Sequence, residues 1–64
     1  MAINTKAYLG LGKRTAQNKA EGENLIFRLV RVDQETILGY PEDFRDDRLC
    51  VEIDNEKVTK AVLH

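Results

Sequence analysis

The sequence predicts an α+β fold: one short helix packed on a small mixed three-stranded sheet, with a long exposed loop between strands 1 and 2. Three stretches carry this reading. Residues 25–32, LIFRLVRV, are rich in the branched and aromatic side chains that suit a pleated, half-buried surface. In residues 49–53, Leu49, Val51 and Ile53 fall on one face while Cys50 and Glu52 fall on the other, the period of two expected of a strand. A third such segment, Lys57 to Leu63, follows Asp54-Asn55-Glu56, where Asp and Asn favour a tight turn. The last two strands therefore read as an antiparallel hairpin.

The chain of 64 residues reads as a single domain over residues 1–64. A chain of this length buries only about 60% of the surface that its unfolded form exposes. Its single cysteine excludes an internal disulfide, and no His/Cys cluster has the spacing of a zinc site. The core must therefore suffice, as a monomer or with the help of a weak homodimer. Ten basic and eleven acidic residues give a formal charge of -1. That balance lacks the concentrated positive charge of a nucleic-acid or anionic-membrane surface, so neither partner is expected. No apolar run approaches the roughly 20 residues that cross a bilayer, and the first residues lack the apolar stretch of a signal peptide. The expected location is cytoplasmic.

Residues 1–7 carry little pattern and read as a mobile or loosely docked tail. Tyr8, Leu9 and Leu11 alternate with Gly10 and Gly12, which suits a turn into a helix. The helix is expected from about Lys13 to Glu21, with Ala16 and Ala20 one turn apart and Gly22 as the left-handed residue that ends it. In the first strand Leu25, Phe27 and Leu29 share the face expected to meet the helix. Ile26, Arg28, Val30 and Val32 share the other. From Asp33 to Asp47 the pattern breaks, with Gly39 and Pro41 as punctuation. Whether this connection crosses over to leave strands 1 and 2 parallel stays open at this level.

Little in the chain suggests catalysis. It has no serine, and its one histidine is the last residue, His64, expected to be mobile. Cys50 has no evident base to activate it, and its phase opposite to the core residues puts it toward solvent or a partner. An enzyme is not expected, nor is a cofactor. Glu42, Asp43, Asp46 and Asp47 invite a metal reading, because calcium takes several oxygens from one loop. The interleaved Arg45 and Arg48 favour a solvated, partly paired surface instead, and such exposed pairs contribute about 0–1 kcal/mol each. Phe44 suits either a core anchor at the loop base or a contact residue. Tyr40 suits an exposed anchor, tyrosine being enriched at binding hot spots.

The order Asp43-Phe44-Arg45-Asp46-Asp47-Arg48-Leu49, followed by Val51, Ile53 and Asp54, resembles the potato inhibitor I family of serine-protease inhibitors and its small bacterial relatives. Those proteins carry an acidic residue, an aromatic, Arg, any residue, Asp or Asn, Arg, and then an alternating strand that ends in Asp. A looser likeness extends from Leu9 to Leu63. The resemblance implies a protein partner, a serine protease, bound by a substrate-like loop made of Leu38, Gly39, Tyr40, Pro41, Glu42, Asp43, Phe44 and Arg45. It also implies that Arg48 braces the loop through Asp43, the acidic residue just after the scissile bond, in a charge-assisted bond. In this register Glu42 enters the primary specificity pocket, where the usual targets take apolar side chains, and Pro41 lies one before it. Cys50 stands where plant members usually carry a second bracing arginine. A different outcome for the same scaffold is an interaction module that contacts another protein without inhibiting a protease.

Overall fold

Helix α1 spans Lys13–Gly22 in a computed structural model that describes residues 3–64. Its two fully buried residues, Ala16 and Ala20, lie one turn apart. Their small side chains bring the helix backbone close to the sheet, while Lys13, Arg14, Asn18 and Glu21 keep its outer side in water. The left-handed residue after the helix is Asn24, at φ 61, and not Gly22, which is the last helical residue. Asparagine tolerates this conformation, and the shift lets Leu25 donate its N–H to Ala20 at 2.8 Å. Within the segment read as a loosely docked tail, residues 1 and 2 lie outside the described residues. Thr5–Tyr8 form a 3-10 helix whose start is capped by the Asn4 side chain, and Ile3 packs against the core.

Four strands form one mixed sheet in the order β2-β1-β3-β4: β1 (Ile26–Val32), β2 (Glu35–Thr36), β3 (Arg48–Asp54) and β4 (Lys57–Leu63). The expected three-stranded sheet is thus corrected by one short strand. Asp33 takes a left-handed turn at φ 54, and Glu35 and Thr36 fold back antiparallel on Val32 and Arg31. Two residues are too few to show a period. The long exposed loop is correspondingly shorter, residues 37–47, and joins β2 to β3. Strands β1 and β3 are parallel, with Phe27 opposite Leu49 and Leu29 opposite Val51. Strands β3 and β4 are the expected antiparallel hairpin. Its two turn residues, Asn55 and Glu56, both have positive φ, the geometry that matches the twist of the flanking strands.

A bulge in β1 changes which side chains share a face. Leu29 pairs with Val51, but Arg31 pairs with Glu52, so Val30 is the extra residue. Val32 therefore returns to the helix face with Phe27 and Leu29, contrary to the uninterrupted alternation expected from sequence. The core on that face joins Tyr8, Ala16, Ala20 and Leu25 to Leu49, Val51, Ile53 and Val58. Tyr8 is fully buried and donates its hydroxyl to Glu23, with the Lys19 ammonium 5.4 Å from its ring centre. Burial and that carboxylate together hold the Tyr8 phenol well above its ordinary value. Among the described residues, no helix is long and apolar enough to cross a membrane.

Candidate functional site

The opposite face of the sheet presents Arg28, Val30 and Arg31 from β1 and Arg48, Cys50, Glu52 and Asp54 from β3. The loop of residues 37–47 lies against the edge of this face, and arginines hold it from two directions. From β1, Arg28 donates Nε to the Gly39 oxygen at 2.8 Å and Nη2 to the Leu38 oxygen at 3.1 Å. From β3, Arg48 donates Nη2 to the Asp43 backbone oxygen at 2.9 Å and to its carboxylate at 3.3 Å. The structure thus brings Asp43 and Arg48 together. Asp43 is held below its ordinary value by its own backbone N–H and by Arg48.

Backbone contacts anchor both loop ends. Ile37 and Gly39 donate their N–H groups to the Val30 oxygen at 2.8 and 3.3 Å. Gly39 sits at φ 70, where a residue without a Cβ carries little strain. At the other end, the Arg45 N–H donates to the His64 oxygen at 2.7 Å, and the Arg45 guanidinium grips Asp47 through two bonds at 2.8 and 2.9 Å. His64, expected to be loose, is tied down: its N–H reaches the Arg48 oxygen, and its own oxygen accepts from both Arg45 and Arg48. Its ring lies 6.0 Å from those of Tyr40 and Phe44.

Tyr40 closes the loop over the sheet by donating its hydroxyl to Glu52. Burial and this carboxylate push the phenol up to about 12. Glu52 also accepts from Arg31 Nε at 2.9 Å and lies 3.8 Å from Lys60. Arg31 spans on to Asp54 in two bonds of 2.8 and 2.9 Å, and Thr59 adds a third donor to that carboxylate at 2.6 Å. These donors hold Asp54 down to about 2, and Tyr40 and Arg31 hold Glu52 below its usual range. The result is a continuous polar band from Asp54 through Arg31 and Glu52 to Tyr40.

The loop's outward side is apolar and acidic. Leu38 is 59% exposed and Phe44 is 69% exposed, so Phe44 is not a core anchor. Ile37 and Tyr40 are also exposed, Pro41 is half-buried, and Glu42 points to solvent. Asp46 and Asp47 occupy the turn into β3. Among the described residues, no three His, Cys, Asp or Glu side chains converge as metal ligands. Cys50, expected to face solvent or a partner, is fully buried. Its side of the sheet is covered by the loop, and this burial pushes the thiol up despite the nearby Arg48 and Arg28.

Three contributors were not singled out from the sequence: Arg28, Arg31 and His64. Two arginines in an otherwise apolar strand were the available signal: Arg31 faces Glu52 and Asp54 across the parallel pair, and Arg28 lies opposite Cys50. The bulge at Val30 hid it, because simple alternation places Arg28 and Arg31 on opposite faces. Comparison with known proteins found no match to a family model, a curated protein or a solved structure.

Proposed function

We propose that this protein is a non-enzymatic inhibitor that occupies the active site of a serine protease through the loop Leu38–Arg45, on a scaffold of the potato inhibitor I kind. One observation carries this reading. Charged donors grip backbone oxygens on both sides of an exposed apex, Arg28 at Leu38 and Gly39 and Arg48 at Asp43. A peptide held this way loses little conformational freedom on docking, so its rigidity is converted into affinity. The same grip hinders the loop from relaxing after attack on the Glu42–Asp43 bond, so that cleavage is slow and the complex persists. Arg48 supports the bond's far side directly, and Pro41 restricts the near side through its fixed φ.

The exposure of Leu38 and Phe44 also favours a second reading, docking of the same loop on a protein that is not a protease. Titration against subtilisin, chymotrypsin, elastase and a Glu-specific serine protease, with mass spectrometry of the products, separates the two. Inhibition of at least one enzyme, with the Glu42–Asp43 bond intact or slowly cut, is the expected result. Rapid cleavage in the loop by these enzymes without inhibition of any would rule out the inhibitor.

A further inference from the structure

We infer that Glu42 is the side chain by which the loop selects its protease, and that the matching enzyme has a cationic primary pocket and cleaves after acidic residues. The inference rests on the protease-binding reading above. Between the two arginine anchor points, at Gly39 and Asp43, the loop offers three side chains: Tyr40, Pro41 and Glu42. Tyr40 is committed to the sheet through Glu52, with its ring near His64 and the Lys60 ammonium 5.5 Å from its centre. Pro41 is half-buried. Of these three, Glu42 alone is both exposed and uncommitted: among the described residues no hydrogen bond or ion pair engages its carboxylate, whereas the partly exposed Tyr40 is tied to Glu52. Its neighbours differ in this respect. Asp43 is held by Arg48, Asp47 is held by Arg45, and Asp46, also exposed, lies beyond the braced apex in the turn before β3.

An uncommitted carboxylate at the one projecting position is an electrostatic specification. Burying it in an apolar pocket leaves a charge without a partner, which is costly, whereas an arginine, lysine or protonated histidine in the pocket supplies the missing donor. Leu38 and Phe44, apolar and exposed on either side, then rest on the rim of the enzyme's cleft.

The test compares the wild-type protein with Glu42→Gln and Glu42→Leu against a Glu-specific serine protease and against chymotrypsin and subtilisin. Circular dichroism checks that the exposed substitutions leave the fold intact. The expected result is inhibition of the Glu-specific enzyme by wild type, weakened at least about tenfold in Glu42→Gln. Glu42→Leu should lose that target and gain at least about tenfold against chymotrypsin or subtilisin. Wild-type inhibition confined to the apolar-pocket enzymes, unchanged by either substitution, would overturn the role of Glu42 and leave the inhibitor reading standing. Absence of inhibition by all three proteins against all enzymes would overturn both.

Discussion

The two faces of the sheet are held by different physics. On the helix face Leu49, Val51, Ile53 and Val58 pack against Tyr8, Ala16 and Ala20, a contact whose strength follows the apolar area removed from water. On the loop face Val30 and Cys50 are the buried apolar residues, and the polar contacts are chiefly arginine bonds to backbone oxygens and carboxylates, joined by the Tyr40–Glu52 and Thr59–Asp54 bonds. Apolar packing is non-directional and sustains the fold. Charged hydrogen bonds add less net stability but depend on angle and distance, so they set the loop's shape. The division allows the apex to carry Glu42, Leu38 and Phe44 outward without drawing on the core.

The largest expected difference between the faces comes from Leu49→Ala, which empties a fully buried position on the central strand. A loss of about 2–5 kcal/mol in chemical denaturation is expected, enough to unfold much of a domain this small. A loss under 1 kcal/mol would show that the helix face is not the main source of stability.

Arg48→Ala probes the other face. Its side chain is only 12% exposed, and its removal strips a charged donor from the Asp43 and His64 oxygens. The expected stability loss is about 1–2 kcal/mol, accompanied by much faster proteolysis within residues 40–45. Arg28→Ala should release the loop at Leu38 and Gly39 instead and move the first cleavage toward them. Unchanged loop cleavage in both variants would mean that backbone anchors at Val30 and His64 hold the loop without the arginines.

Acid should act on the loop face selectively. Asp54 is held at about 2 by Arg31 and Thr59, and Glu52, Asp43 and Asp47 are also lowered. With folded values below the ordinary 3.8 and 4.5, the unfolded chain binds more protons as pH falls. Their stabilisation is therefore complete above about pH 5 and lost as pH drops toward 2. Urea midpoints measured across that window should decline, and Arg31→Met should flatten the decline. An equally steep fall in Arg31→Met would remove Arg31 as the cause of the low Asp54 value.

Much of the helix face was legible because local rules decide it. Ala16 and Ala20 recur at helical spacing, and Leu49, Val51 and Ile53 alternate, so each pattern names its own buried side. Asp54-Asn55-Glu56 likewise marks its turn, with Asn55 at the positive φ that asparagine tolerates, although the second positive φ falls on Glu56 and not on Asp54. The Asp43–Arg48 contact was accessible through a resemblance, since the pair is close in sequence and Arg48 opens the strand that follows the loop. The fate of Cys50 was not accessible. Phase alone puts it outside the core, and only the loop passing over that face buries it.

What the sequence determined by itself is helix α1, the three longer strands and the side that α1 and β3 turn to the core, because periodicity is a property of single segments. The tertiary structure decided the rest: that β1 and β3 lie parallel, that Val30 bulges so Arg28 and Arg31 share one side, and that Arg28 meets the Leu38 and Gly39 oxygens. Those outcomes depend on which segments lie beside one another, since a strand's phase past a bulge is set by the register of its partner and not by its own residues. For the loop, this means that its composition was written in residues 38–45, while its shape is set by arginines on two neighbouring strands.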